Sequence, residues 1–364
     1  MKKLLIFNLL FLILLSGYSF TQTMRSASGS FNVNISSLYE NWSVNDSTEL
    51  SEISNSLWMS YIIERNTRIA LSTKYASVGG DIGSLSGFSD SQLLINHYFA
   101  DRTFGLEGGV NLPSGKTKLS LDEFLTATVI SQSIFGLTTP SFGQGLNYFL
   151  GLTLTHPLSD YVVIGGALSY QIKSEYQPLD LVPVDYKPSN EISATGGIDI
   201  KLSEFSTLTG DVTGIFYSSD ELNGIKVFTA GNRFIFNTMY RHYFGFDALS
   251  INLLYRLIDL DKVEVLGNVL DFEKINPNQF YSAVSYFQKI SSQFAINYNV
   301  FLSLFEKNAG PYSGYTMLGV RLSPEFRISP NVAIPLIFKY STASADGKAT
   351  LTNFDIGTGL KLVF

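Results

Sequence analysis

The stretch Phe354-Asp355-Ile356-Gly357-Thr358-Gly359-Leu360-Lys361-Leu362-Val363-Phe364 carries a strict two-residue beat. Phe354, Ile356, Thr358, Leu360, Leu362 and Phe364 fall on one face. Asp355, Gly357, Gly359 and Lys361 fall on the other. Successive side chains of a strand point to opposite faces, so this pattern predicts a strand with one greasy and one polar side.

The same beat recurs upstream. Phe104, Leu106, Gly108, Val110 and Leu112 alternate with Gly105, Glu107, Gly109 and Asn111. Phe294, Ile296, Tyr298, Val300 and Leu302 alternate with Ala295, Asn297, Asn299 and Phe301, and residues 192–202 repeat the pattern. About sixteen such segments are predicted, with fourteen as the alternative. Their spans are 30–42, 48–62, 67–77, 90–100, 102–113, 144–157, 160–172, 190–202, 204–217, 226–244, 246–258, 278–290, 291–304, 312–326, 330–342 and 348–364.

The links between segments are sorted by length. From the second segment onward every other link is short, around Arg65, Asp101, Leu158, Ser203, Gly245, Ile290 and Ser329. The intervening links 78–89, 114–143, 173–189 and 259–277 are longer. Tight turns at one end and extended loops at the other predict an all-β, up-and-down antiparallel barrel crossing a bacterial outer membrane. Aromatic rings cluster near the short turns: Phe99 with Phe104, and Tyr240, Tyr243, Phe244 and Phe246 together. Such rings settle at the headgroup level. Leu360, Leu362 and the terminal Phe364 resemble the signal by which outer-membrane barrels are recognised by their assembly machinery.

Composition agrees with this class. The 364 residues are 45% hydrophobic and 14% aromatic but only 15% charged, which excludes a disordered chain. With no cysteine, disulfides, zinc–cysteine sites and thiol nucleophiles are excluded. A net charge of −6 opposes a nucleic-acid surface. Lys2 and Lys3, the apolar run Leu4 to Leu15, and then Gly17 and Ser19 follow the order of a secretory signal peptide over 1–19. A short segment 20–29 would lead into a barrel covering 30–364.

Within that frame the chain resembles the outer-membrane proteins of the phenol-degradation (MetA-pathway) transporter family. The likeness rests on Gly108-Gly109-Val110-Asn111-Leu112-Pro113-Ser114-Gly115-Lys116, on Phe142-Gly143-Gln144-Gly145-Leu146-Asn147, and on Gly165-Gly166-Ala167-Leu168-Ser169-Tyr170. The resemblance implies a channel for small, often hydrophobic solutes, with no catalytic residues to transfer and no cofactor.

A barrel with its greasy face outward turns Arg68, Lys74, Asn96, Glu107, Asn111, Asp199, Asp211, Arg256, Lys339, Asp355 and Lys361 toward the lumen. These charges either pair and hydrate the interior or line a constriction. The best candidate for the constriction is loop 114–144. Ser120 to Glu123 forms a capping box, and a helix is expected from Leu121 toward Ile134. Leu121, Phe124, Leu125, Val129 and Ile130 are apolar enough to seek a packed site, leaving Lys116, Lys118, Asp122 and Glu123 to solvent. The loop is expected to fold into the barrel mouth, although Thr126, Thr128, Val129 and Ile130 also permit an extended hairpin.

Pro335 interrupts a predicted strand. A bulge near one rim is expected there, with a lateral path through a kinked wall as the sharper reading. An enzyme is not expected. His97, His156 and His242 are the only imidazoles, no Gly-x-Ser-x-Gly elbow is present, and only His156 with Ser159 comes close to a catalytic pair. No metal-ligand spacing appears. The predicted partners are membrane lipid and a small solute.

Overall fold

The computed structural model describes residues 29–44, 47–99, 103–265, 268–272, 274–308, 310 and 312–364. The expected signal peptide and nearly all of segment 20–29 lie outside the described residues.

The strands in chain order are β1 (Phe31–Val44), β2 (Ser47–Glu64), β3 (Thr67–Gly79), β4 (Leu85–Phe88), β5 (Ser91–Phe99) and β6 (Phe104–Leu112). Helix α1 (Leu121–Ile130) precedes β7 (Asn147–Pro157), β8 (Val162–Lys173), β9 (Tyr186–Lys187), β10 (Glu191–Lys201) and β11 (Ser206–Tyr217). Then come β12 (Asp220–Leu222), β13 (Ile225–Thr229), β14 (Arg233–Phe244), β15 (Asp247–Ile258), β16 (Asp261–Val265) and β17 (Asn268–Phe272). The last are β18 (Gln279–Lys289), β19 (Phe294–Phe305), β20 (Thr316–Ser329), β21 (Val332–Ser344) and β22 (Leu351–Val363).

Sixteen of these strands form one closed antiparallel barrel. Chain neighbours pair, and β22 returns to β1 in register from Val44↔Leu351 to Asn32↔Val363. Closure leaves no strand edge unpaired. Phe364 belongs to the seam itself: its amide donates to the Phe31 carbonyl at 2.9 Å, and the Phe31 amide donates back at 3.0 Å. Their rings stack beside those bonds.

Outward positions carry exposed apolar side chains, including Ile53, Ile95, Leu152, Ile198, Val212, Leu253, Val300, Val320 and Ile356. Inward positions are mostly polar, small or packed against loop 113–146, with Phe149, Ile215, Ile235 and Leu254 as apolar exceptions. This is the division that hydrocarbon outside a barrel requires. Stacked or tilted rings mark the short-turn end, at Phe99–Phe104, Tyr286–Tyr298 and Phe294–Phe326.

Three details depart from the sequence reading. The run 226–244 is two strands. Gly231 lies against the Asp259 backbone, where any Cβ would be 2.7 Å from the Asp259 carbonyl carbon, and its amide donates to Asp261 Oδ1. The chain breaks its direction there. The links 173–189 and 259–277 are not plain loops either, because β9, β12, β13, β16 and β17 pair into a second, five-stranded sheet at the long-loop end. Finally, Pro335 causes no bulge. The β20–β21 register is the same on both sides of it, from Leu322↔Phe338 to Glu325↔Pro335. Ladder pairs are missing beside Pro335 and Pro324, which lack the N–H. The register shift falls instead between Arg327 and Ser329.

Candidate functional site

Loop 113–146 leaves β6 and returns to β7 through two crossing legs. Gly115 and Gly143 make the crossing possible: a Cβ on Gly143 would sit 2.8 Å from the Gly115 carbonyl carbon, and one on Gly115 would sit 2.7 Å from the Gly143 Cα. Asp90, just before β5, clasps both legs. Its Oδ1 accepts the Gly115 amide at 2.9 Å and its Oδ2 accepts the Gln144 amide at 2.6 Å. Burial pushes the Asp90 carboxyl above its usual range, while the Gln144, Gly115 and Gly145 amides pull it back.

Between the legs, α1 starts at the Ser120 capping box, with Ser120 Oγ accepting the Glu123 amide and Glu123 Oε2 accepting the Ser120 amide. Both otherwise unpaired helix-start amides are satisfied. The helix is shorter than expected and ends at Ile130. Its packing also differs. Leu121, Phe124 and Leu125 are exposed, Leu121 by 62%. Thr126 and Ile130 are the buried positions, and the Thr126 hydroxyl donates to the Ile82 carbonyl. Lys116 and Glu123 form an ion pair rather than standing free, and Asp122 and Lys118 are exposed.

The packed segment is the one after the helix. Ile130, Ile134, Phe135, Leu137 and Phe142 join a core with Trp42 of β1, Leu50 of β2, Ala76 and Val78 of β3, Phe301 and Phe305 of β19, Met317 of β20 and Leu351 of β22. These wall residues are inward positions, so the loop lies within the barrel mouth. Phe135 is 1% exposed and meets Trp42 edge-on at 5.4 Å and Tyr312 at 4.8 Å. Polar contacts fix the tip. The Thr138 amide donates to Glu40 Oε2 and the Thr139 amide to Glu52 Oε1, both at 3.0 Å. Lys74 Nζ donates to the Thr138 carbonyl at 3.0 Å. Three adjacent strands therefore hold one dipeptide.

The eleven expected lumen positions share the inward register but do not converge. Arg68, Asn96 and Glu107 form a row across β3, β5 and β6. Lys339 pairs with Asp355 at 2.8 Å, beside Glu40. Lys361 pairs with Glu325 at 2.7 Å. Asn111 faces Asn147 in register, Asp211 faces Gly197, and Arg256 faces Gln279. Asp199 lies near the short-turn end of β10.

The sequence reading missed Glu40, Glu52, Asp90 and Arg233. Glu40 and Glu52 stand on the inward beat of their segments, where a charge was a readable signal. His97 and His242 bind strand hydroxyls, Thr67 and Ser206, and pack on Phe99 and Phe244. The Ser159 hydroxyl accepts the turn amides of Tyr161 and Val162.

No family model matches the sequence, and no curated protein matches it. Solved structures do match the fold. The chain is similar to CdiB from Acinetobacter baumannii with a TM-score of 0.53 at 10% identity, over 92% of this chain. It spans 60% of the CdiB chain. It is also similar to OprD of Pseudomonas aeruginosa, TM-score 0.47 at 9% identity, covering 93% of this chain and 97% of that one. The monoaromatic hydrocarbon channel CymD gives 0.46 at 9%, covering 93% and 90%. At these identities the likeness is one of fold.

Proposed function

We propose that the protein is a bacterial outer-membrane channel through which small solutes diffuse, narrowed by loop 113–146. The observation that carries this reading is the inward loop: residues 130–142 fill one side of the mouth, while the inward faces of β6–β11 carry mostly small and polar side chains, with Phe149, Val163, Ile215 and Tyr217 among them. Such a path lowers the cost of crossing hydrocarbon without an energy source, and its narrowest ring selects what passes. The resemblance to the phenol-degradation transporters at 108–116 and 142–147 supports small, partly hydrophobic solutes. The loop portions of those two stretches, 113–116 and 142–146, are the crossing legs clasped by Asp90. The short turns would face the periplasm, the signal peptide would direct export, and the Leu360, Leu362 and Phe364 seam would serve the assembly machinery.

Purified protein in planar bilayers is expected to give discrete conductance steps. Replacing 130–142 with a short Gly-Ser linker should raise the step size several-fold. A folded but silent barrel in both forms would favour a surface-interaction role instead. The five-stranded outer sheet, with Ile225, Val269 and Leu270 exposed, is the observation that supports that second reading.

A further inference from the structure

On the wall away from the packed loop, Tyr217 of β11, Arg233 of β14 and Arg256 of β15 lie in one diagonal row. Arg233 pairs with Ile215 on one side and Ile258 on the other, so Tyr217 and Arg256 are each its diagonal neighbour. Diagonal neighbours on one sheet face stand within reach of long side chains. The Arg233 guanidinium lies over the Tyr217 ring, 5.2 Å from its centroid.

The polar side chains in register with the row are engaged elsewhere. Glu191 faces Tyr217 in register but pairs with Lys173. Gln279, opposite Arg256, gives its amide to Ser303 at 2.7 Å. Among the described residues Arg256 keeps Nε and Nη2 buried without a hydrogen-bond partner, and Arg233 keeps Nε so. A guanidinium cannot shed its proton at neutral pH, and buried charge is ordinarily paired. Two such groups side by side form a fork that fits an incoming carboxylate. Ile215, Ile235 and Leu254 share the same inward face and offer apolar contact next to it.

We infer that Arg233 and Arg256, with the Tyr217 ring beside them, bind the carboxylate of a small organic acid whose apolar body rests on Ile215, Ile235 and Leu254. The inference deepens the channel reading by naming a solute class, and rests on that reading for the solute's access to the lumen.

The test is calorimetric titration of benzoate into the folded, detergent-solubilised full chain, with benzyl alcohol and inorganic sulfate as parallel probes. Saturable benzoate binding is expected, weakened at least tenfold in both Arg233→Gln and Arg256→Gln and unchanged in Lys226→Gln on the outer sheet. Benzyl alcohol and sulfate should each bind more weakly than benzoate. Heat-modifiable gel migration checks that each variant is folded, and either arginine variant alone suffices for the comparison. Undiminished benzoate binding in a folded arginine variant, or equal binding of the alcohol, overturns the site. Sulfate binding as tight as benzoate overturns the organic-acid assignment. Binding needs no conductance: a silent barrel that binds benzoate through these arginines sinks the channel reading and keeps the site, and a conducting barrel without such binding does the reverse.

Discussion

Along β1–β3 and β19–β22 the inward side chains nearest the long loops include Trp42, Leu50, Val78, Phe305, Met317 and Leu351, all buried. Along β6–β11 the inward positions include Gly105, Gly151, Ser169, Ser193, Thr195, Gly197 and Thr213, linked by contacts such as Ser169–Ser193 and Thr195–Thr213, with the Phe149 ring lying over Gly109. One barrel thus contains two interiors. The first behaves like the core of a soluble domain, because loop 113–146 supplies apolar partners. The second keeps hydroxyls and bare backbone toward the lumen, a surface that water satisfies.

The comparison can be broken most strongly at Phe135. Phe135→Ala removes the ring that meets Trp42 and Tyr312, and a buried Phe→Ala change costs about 3–5 kcal/mol. Urea denaturation of the folded barrel, followed by tryptophan fluorescence, should register that loss. Thr213→Ala on the other wall should cost far less. The latch comes next. Glu52→Ala strands the buried Thr139 amide, for about 1–3 kcal/mol, read by faster hydrogen exchange at Thr139. Glu52→Gln keeps an acceptor oxygen for the Thr139 amide, so it should lose less. The smallest effect is acid loosening of α1. Burial would raise the Glu123 carboxyl, but the Lys116 ion pair and the Ser120 amide outweigh it and hold it below its usual value. A lowered folded value means the stabilisation is present above about 4.5 and lost as pH falls through the folded value. Protection factors of the amides at 120–124, corrected for the intrinsic exchange rate at each pH, should fall as the pH is taken below the usual carboxylate value, while the barrel strands stay protected.

The barrel was legible because period two is local: each strand declares itself without reference to its partners. The outer sheet was not, since two- to five-residue strands such as Tyr186–Lys187 and Ile225–Thr229 exist only through pairing between different loops. The face of α1 was misjudged for a related reason. Leu121, Phe124 and Leu125 are apolar, but the capping box and the crossing legs fix the helix so that Thr126 and Ile130 face inward. A readable sign of the packed segment was overlooked. Trp42, Leu50, Phe301 and Leu351 break the polar beat on the lumen face, and apolar side chains there require something to cover them. Arg233 was hidden inside a run read as one strand from 226 to 244.

The chain contains no cysteine, so a single introduced thiol reports on one position alone. Thr213→Cys and Ala76→Cys, each inward but on opposite interiors, would be exposed to a small charged methanethiosulfonate reagent in intact membranes. The two-interior account predicts rapid labelling at 213 and protection at 76, where the native side chain is fully buried. Equal labelling rates at the two positions would contradict it.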